Sequence, residues 1–247
     1  MEDQILGVIG GMGPKATSVF FDKVVESTEA HKDQDHIDMV ILNHASIPDR
    51  TRVILDKNEE TFLNAIQKDI NLLEVAGVDN IAIPCNTSHY FYDALVKMTD
   101  INIIHMVDET VKHLVETYGA GTKVGIMATN GTISSGIYEK SCNKHNIDLC
   151  VPDKELQEQI MNIIYHDIKN DLDADTHEIE AIIHDFIFKQ DCSCVILACT
   201  EFSVIKLSEE AQNHTIDAMD VLVRKSIELS GKQVKSLQPN KSNAAII

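Results

Sequence analysis

The chain has 247 residues, 44% of them hydrophobic and 24% charged, which allows one large α/β domain or two lobes of just over a hundred residues each. The formal net charge is −18 and the sequence has no Lys/Arg cluster, so we do not expect the protein to bind nucleic acid or anionic lipid, which are themselves negatively charged. The acidic N-terminus and the lack of any apolar run of about eighteen residues predict neither a signal peptide nor a membrane span. We therefore expect a cytoplasmic protein whose six cysteines are reduced thiols.

Short apolar runs alternate with longer segments of helical period, a pattern typical of βα units that build a parallel sheet. The clearest predicted strands are Ile5–Ile9, Met39–Leu42, Asn80–Ile83, Lys123–Met127 and Cys194–Ala198. The predicted helices are Thr17–Thr28, Asn58–Ala76, Asp108–Thr117, Ile133–His145, Lys154–Lys169, Thr176–Lys189 and Met219–Ser230. This alternation predicts the α/β fold class.

The chain contains an internal repeat. Ile5–Gly13 aligns with Lys123–Gly131, and Ile81–Thr87 aligns with Val195–Glu201 at almost the same offset. We infer a two-copy duplication that gives two pseudo-symmetric lobes, each a mostly parallel sheet flanked by helices. Equivalent strand ends would then face each other across a cleft, which is where open α/β sheets bind their ligands.

The repeat also predicts where the lobes begin and end. We expect a hinge near Ile104–Asp108 and a second crossing near His214–Asp217. The predicted segments are an N-terminal lobe at 1–106, a C-terminal lobe at 107–214, a returning segment at 215–231 that joins the first lobe, and a flexible tail at 232–247.

Two cysteines occupy matching positions of the repeat, since Cys85 follows one predicted strand and Cys199 follows its counterpart. A helix should begin at each position, and the positive end of its dipole would lower the thiol pKa. One cysteine at a strand end is usually a small buried hydrophobe, but two in matching places indicate paired chemistry. Cys192 and Cys194 could join Cys199 in a metal site, but their spacing does not fit one, so no metal is predicted.

Each lobe opens with a turn of small residues before its first helix. Gly10–Ala16 formally fits a dinucleotide fingerprint, but the second strand lacks the acidic residue that binds the ribose, and Pro14 removes an N–H group. We interpret this turn as one that presents backbone N–H groups to a carboxylate, with a packing turn as the alternative. Thr129–Thr132 takes the same place in the second lobe, where it could bind a carboxylate, cap a helix through Asn130 or Thr132, or do both.

Arg50 lies in the predicted loop Ile47–Arg52, near the carboxyl edge of the first sheet. Its guanidinium is suited to gripping a carboxylate through two parallel hydrogen bonds, which makes it a candidate substrate clamp. Because surface arginines are common, its position alone leaves an ordinary surface role open.

Four separated motifs carry a resemblance to a known family; they are Gly10-Gly11-Met12-Gly13-Pro14, Ile47-Pro48-Asp49-Arg50, Pro84-Cys85-Asn86-Thr87 and Cys199-Thr200-Glu201. Together with the duplication, they resemble the aspartate racemase branch of the aspartate/glutamate racemase superfamily, over nearly all of the chain from Ile5 to Ser230. The resemblance implies a homodimer that uses no PLP or other cofactor and moves a proton with two bases. Its catalytic pair falls on Cys85 and Cys199. Its substrate-contacting positions fall on Met12, Arg50, Asn86, Thr87, Thr129, Thr132, Lys169 and Thr200.

The resemblance predicts that the protein interconverts L- and D-aspartate, with one cysteine as thiolate base and the other as thiol acid. Arg50 and Lys169 would hold the side-chain carboxylate, although Lys169 can also be read as an ordinary solvated lysine. Glu201 follows the pattern of aspartate racemases, whereas glutamate racemases have a Cys-Thr-His signature at this position. The alternatives are a glutamate or broad-specificity racemase, maleate isomerisation, hydantoin racemisation, malonate decarboxylation, or a non-catalytic small-molecule-binding module. Some of these reactions need only one thiol, so the cysteine pair favours racemisation.

Overall fold

The computed structural model describes residues 4–171 and 175–235, apart from the side chains of residues 170 and 171. The strands are β1 (Leu6–Gly10), β2 (Met39–Asn43), β3 (Asn80–Ala82), β4 (Asn102–Ile103), β5 (Lys123–Met127), β6 (Asp148–Cys150), β7 (Cys194–Leu197) and β8 (Thr215–Asp217). The α-helices are α1 (Pro14–Ser27), α2 (Arg50–Leu55), α3 (Glu59–Ala76), α4 (Tyr92–Leu95), α5 (Met106–Tyr118), α6 (Asn130–Ser135), α7 (Ile137–Lys144), α8 (Lys154–Asn162), α9 (Thr176–His184), α10 (Glu209–Asn213) and α11 (Ala218–Leu229). None of these helices is long and apolar enough to cross a membrane.

Each half of the chain builds a four-stranded parallel sheet. The strand order is β2-β1-β3-β4 in the first sheet and β6-β5-β7-β8 in the second. The second order is the first with every strand number raised by four, so the duplication inferred from the sequence is present in the topology. The α/β class with two parallel sheets is confirmed.

Helices cover both faces of each sheet, which explains why the central strands are apolar along their whole length. On one face of the first sheet lies α3, which buries Phe62, Ile66 and Ile70 at helical spacing. On the other face lie α1 and α11, which bury Phe20 and Leu222. The second sheet is covered by α8 and α9 on one face and by α5 and α7 on the other.

The segment after the second lobe divides between the two sheets. Thr215–Asp217 adds the fourth strand to the second sheet, and the helix that follows it packs on the first sheet with α1. Val234 forms a bridge with Thr28 at the end of α1, and the predicted tail beyond residue 235 lies outside the described residues. The lobe boundaries at 1–106, 107–214 and 215–231 stay a prediction.

All five predicted strands form, with ends shifted by at most one residue. Three short strands, β4, β6 and β8, were not predicted, because two or three residues carry no readable period. The single helix predicted over Ile133–His145 is wrong, since Gly136 adopts a φ of 66° and separates two helices. The helices predicted to run to Lys169 and Lys189 end in π-helical turns at Ile163–Asp171 and Asp185–Lys189.

Candidate active site

Cys85 and Cys199 lie just beyond the carboxyl ends of the equivalent strands β3 and β7 and line one cleft between the two halves of the chain. Its free volume of about 10 Å³ has room for about one water molecule. The lining residues are Met12, Asp49, Arg50, Thr51, Cys85, Asn86, Thr87, Thr129, Tyr165, Lys169, Ala198, Cys199, Thr200 and Glu201. Of the site residues predicted from the sequence, all but Thr132 are in this set. The structure therefore brings them together, while their roles stay predictions.

Cys199 has a carboxylate as its immediate neighbour. Its Sγ donates a hydrogen bond to Glu201 Oε2 at 2.9 Å, and Glu201 is only 5% exposed. Burial and then the Glu201 charge raise the pKa of the Cys199 thiol well above its usual value. The expectation that a helix dipole lowers this pKa is wrong, because only a three-residue 3-10 helix, Phe202–Val204, follows the cysteine.

Arg50 lies beside the other cysteine, Cys85, and is buried. Burial works to lower the Arg50 pKa, but the charges of Cys85 and Asp49 outweigh it, so the pKa is raised. The residue was predicted in a loop; it is the first residue of α2, whose N-terminus is capped by the Asp49 side chain accepting from the Arg52 N–H. Six residues are too few to show a helical period, so the pattern could not reveal this helix.

The Arg50 guanidinium is only partly engaged. One terminal nitrogen donates to the Met12 carbonyl at 3.0 Å and the other to the Pro48 carbonyl at 3.2 Å. Nε is buried and has no hydrogen-bond partner among the described residues. The Asn86 amide is also only partly hydrogen-bonded. Its oxygen accepts from the Tyr138 hydroxyl at 2.6 Å, and its buried Nδ2 has no partner in the part of the chain that the structure describes. Two unpaired donors in one cleft suit an anionic ligand such as a carboxylate, because buried donors without partners are unfavourable.

Lys169 reaches the cleft from the π-helical turn after α8. Its Nζ lies 3.8 Å from Glu201 Oε1 and 4.0 Å from the centre of the Tyr165 ring, and its side chain is 25% exposed. Burial works to lower the Lys169 pKa, but the charges of Glu201 and Cys199 raise it overall. The residue is therefore a partly buried cation within the cleft and not an ordinary solvated lysine.

Hydroxyl groups from both halves of the chain meet at one wall of the cleft. Thr87 Oγ1 lies 2.8 Å from Thr132 Oγ1 and 3.1 Å from Thr129 Oγ1. Thr129, and neither Asn130 nor Thr132, caps α6, since its side chain accepts from the Thr132 N–H. A Cβ at Gly131 would lie 2.7 Å from Thr51 Cα, so glycine permits the close approach of α6 to α2.

Packing fixes one residue of the first turn, Gly11. Gly11 has a φ of 90°, and a Cβ there would lie 2.4 Å from the His44 carbonyl carbon, so only glycine fits. Its N–H already donates to Thr17 Oγ1 at 2.8 Å and is not available to a ligand carboxylate. At Gly11 the packing alternative is therefore correct, while Met12 contributes to the cleft.

His89 fixes the backbone behind Cys85. Its ring accepts from the Met106 N–H at 3.1 Å, which leaves the proton on Nδ1, and Nδ1 donates to the Cys85 carbonyl at 3.0 Å. Burial, and then the nearby His105, lower the His89 pKa to about 4. The ring is therefore neutral in the folded protein and ties the Cys85 loop to the start of α5.

The His89 pKa gives a prediction for stability. The ordinary histidine pKa is about 6.5, and the pKa of His89 in the folded protein is about 4. As the pH falls between these two values, the unfolded chain binds a proton at His89 and the folded protein does not, so the stabilisation that His89 gives the folded protein is lost. His89→Gln should therefore lower the free energy of unfolding by less at pH 5 than at pH 7, and the difference should be about 2 kcal/mol. Urea unfolding of both proteins at the two pH values measures it, and an equal cost at both would contradict the assignment.

The sequence did not single out Asp49, Thr51, Tyr165 and Glu201 as site residues, although all four line the cleft. Tyr165 stands four residues before Lys169, a helical spacing that puts both side chains on one face. Its hydroxyl donates to Asp49 Oδ2 at 3.2 Å and to Thr51 Oγ1 at 3.3 Å. These contacts join the two halves of the chain, so no local pattern could reveal them.

A larger cavity of about 500 Å³ lies away from the cleft and is lined by residues that include Tyr92, His105 and Lys144. Its cations are neutralised by neighbours, as Lys144 is by Asp108 at 3.2 Å. No cysteine lines it. The paired thiols make the small cleft the candidate active site.

Comparison with known proteins is consistent with this geometry. The chain is 28% identical to the broad specificity amino-acid racemase RacX of Bacillus subtilis over 228 residues, which cover 90% of this chain and 96% of RacX. It superimposes on the aspartate racemase of Picrophilus torridus with a TM-score of 0.79 and 34% identity, covering 94% and 96% of the two chains. Similarity to the glutamate racemase of Thermus thermophilus, with a TM-score of 0.59, 14% identity and coverage of 93% and 82%, shows the fold alone.

The family profile described as Asp/Glu/Hydantoin racemase matches residues 9–226, which include the whole cleft and all of both sheets except the first three residues of β1. This match extends over far more than half of the chain. The predicted resemblance is thereby confirmed: the protein belongs to the Asp/Glu/Hydantoin racemase family of isomerases.

Proposed function

We propose that the protein interconverts L- and D-aspartate without PLP, by proton transfer at Cα between Cys85 and Cys199. The observation that carries the proposal is that both thiols line one closed cleft, at the ends of equivalent strands in a duplicated fold. One cysteine, as thiolate, removes the α-proton, and the other, as thiol, delivers a proton to the opposite face. In the reverse direction the two roles are exchanged.

The difficult step is the negative charge that develops on the substrate as the α-proton leaves. Asn86 Nδ2 has no partner within residues 4–171 and 175–235, and the hydroxyls of Thr87 and Thr200 line the same cleft, so these groups hold the α-carboxylate as its charge increases. Exclusion of water strengthens each of these contacts, because the local dielectric constant is low. Since the cleft has room for about one water molecule, the two lobes must separate to admit an amino acid.

Arg50 and Lys169 supply the selectivity for a second carboxylate. Arg50 has a free Nε–H, and Lys169 is held within the cleft by Glu201. Both cations lie inside a protein whose net charge of −18 repels acidic substrates, so local capture is required.

A broad-specificity racemase is the second candidate. Arg50 and Lys169 share the cleft with two carboxylates, Asp49 and Glu201, so the charge of the lining is close to balanced. RacX, a relative that covers 90% of this chain, is described as a broad specificity enzyme. Balanced charge would let neutral side chains bind where a cationic pocket would reject them.

Incubation in D₂O without added PLP tests both candidates. L-Aspartate should gain α-deuterium and lose optical purity, and L-asparagine, the isosteric neutral amide, should react at least about 100-fold more slowly, on the scale of one buried charge-assisted contact. Chiral chromatography across a panel of L-amino acids measures the range. Similar rates for both would favour the broad-specificity candidate, and no deuteration of any amino acid would refute the racemase proposal.

We further propose a cytoplasmic homodimer, the assembly that the resemblance to aspartate racemases implies. All six cysteines are unpaired, which is typical of a reducing compartment. Light scattering coupled to gel filtration should give about twice the chain mass of 27.5 kDa, and a mass near 27.5 kDa would contradict the dimer.

A further inference from the structure

The two halves of the cleft differ at one position of the repeat. Cys85-Asn86-Thr87 aligns with Cys199-Thr200-Glu201, so a threonine in the first half corresponds to a glutamate in the second. Thr87 directs its hydroxyl to Thr129 and Thr132. Glu201 directs its carboxylate to the Cys199 thiol, with Thr200 Oγ1 at 3.5 Å from the same oxygen.

The contact between Cys199 and Glu201 requires a proton on sulfur. An ionised carboxylate can only accept a hydrogen bond, so at 2.9 Å the thiol must be the donor. A Cys199 thiolate at the same place would set two negative charges against each other in a buried site. The second carboxylate oxygen of Glu201 forms an ion pair with Lys169 Nζ at 3.8 Å.

Cys85 has the opposite environment. Its neighbour is the Arg50 guanidinium, which is buried, always charged, and has a pKa raised in part by the Cys85 charge. Cys85 therefore lies beside a buried positive charge. The cleft thus combines a cysteine that faces a cation with a cysteine that faces an anion.

We propose that Glu201 is a positioning residue that keeps Cys199 protonated, so that the free enzyme rests with Cys85 as the base and Cys199 as the acid. This inference rests on the proposed function for its kinetic consequence. The resting form is ready for one enantiomer only, the one whose α-hydrogen faces Cys85. The other enantiomer requires the minor form, with Cys85 protonated and Cys199 ionised.

The proton balance of one turnover follows from this assignment. The Cys85 thiolate forms an S–H bond as the Cα–H bond breaks, and the electron pair stays on the substrate. The Cys199 S–H bond then breaks as a new Cα–H bond forms on the opposite face. The enzyme is left with a Cys85 thiol and a Cys199 thiolate, and solvent returns it to the resting form by taking a proton from Cys85 and giving one to Cys199.

The kinetic signature is a split between KM and kcat. The two enantiomers have equal free energies, so kcat/KM must be the same in both directions whatever the protonation state of the enzyme. When each form binds its own enantiomer with the same intrinsic affinity, the enantiomer that binds the resting form therefore shows both the lower KM and the lower kcat. A change at Glu201 that raises the share of the minor form must reduce this inequality.

The kinetic test compares Glu201→Gln with Glu201→Asp, which keeps the charge, and with Glu26→Gln, a matched change at an exposed site on α1. We expect Glu201→Gln to move the ratio of the two KM values by about tenfold or more, the effect of one pKa unit, and to move the kcat ratio by the same factor. Glu201→Asp should give a KM ratio close to that of the wild type, and Glu26→Gln should leave the ratio unchanged. An unmoved ratio with kcat reduced in both directions would show a merely structural role and overturn the proposal.

A second experiment needs no substrate, so its result on Glu201 does not depend on whether the protein is a racemase. Iodoacetamide alkylation across a pH series, read for each cysteine by peptide mass spectrometry, reports each thiolate separately. We expect Cys85 to react at lower pH than Cys199, and Glu201→Gln to shift only the Cys199 profile, by about one pH unit or more toward acid. A shift without racemisation of any amino acid would refute the proposed function and uphold the role of Glu201. An unmoved Cys199 profile would overturn that role.

Discussion

Replacing either Cys85 or Cys199 with serine should reduce racemisation of both enantiomers by about 10²- to 10⁴-fold, the usual contribution of a positioned acid or base. A serine hydroxyl fits the space of the thiol but ionises far less readily, so one side of the proton relay is lost. Each variant should still exchange the α-proton of one enantiomer with solvent, because the remaining cysteine can remove and return a proton on its own face. The two variants should therefore retain exchange of opposite enantiomers, which NMR in D₂O measures directly.

Cys150→Ser is the matched control for these variants. Cys150 lies at the end of β6, outside the cleft, and donates to Gln190 Oε1 at 3.0 Å, a bond that serine can also make. We expect wild-type rates and an unchanged melting temperature for this control. Full deuteration and racemisation by both Cys85→Ser and Cys199→Ser would rule out the thiol mechanism.

Arg50→Gln is the second change with a large expected effect. Loss of the buried guanidinium should lower kcat/KM for aspartate by about 100-fold, the equivalent of about 3 kcal/mol for a buried charge-assisted contact. Turnover of L-asparagine or L-alanine should fall less, because neither presents a second carboxylate and only the loss of the cation beside Cys85 affects them. The measurement is kcat/KM for all three substrates, with the melting temperature as a check on folding.

Arg50→Lys separates the two roles that the structure gives this side chain. Lysine keeps a cation near Cys85 but lacks the planar fork and the free Nε–H. It should preserve turnover of neutral amino acids while still impairing aspartate. If kcat/KM falls equally for aspartate and asparagine in both variants, Arg50 does not select the substrate. Its only role would then be to place a cation beside Cys85.

Much of the fold could be predicted because the duplication repeats its signals. The strands that carry the cleft, β1, β3, β5 and β7, are buried apolar runs, and each is followed by a recognisable motif. Matching positions in two copies also predicted that Cys85 and Cys199 would share one site. The short strands β4 and β6 lack this redundancy, and neither has enough residues to show alternation.

The electrostatics of the cleft could not be predicted from local pattern. Glu201 is visible two residues after Cys199, but only the folded chain turns its carboxylate toward the sulfur. A helix dipole at Cys199 predicted a lowered thiol pKa, whereas burial and this carboxylate raise it. Likewise, Tyr165 reaches Asp49 across more than a hundred residues of sequence, a contact fixed by the packing of the two lobes.

In the proposed mechanism two sulfur atoms approach one substrate Cα from opposite sides. A crystal structure of the protein with bound aspartate, in which Cys85 is replaced by serine to slow turnover, tests it most directly. We expect Cys199 Sγ and the serine Oγ at position 85 to lie on opposite faces of Cα, each within about 4 Å, near the contact distance needed for proton transfer. A complex in which only one of the two positions contacts Cα, or in which aspartate binds outside the cleft, would contradict it.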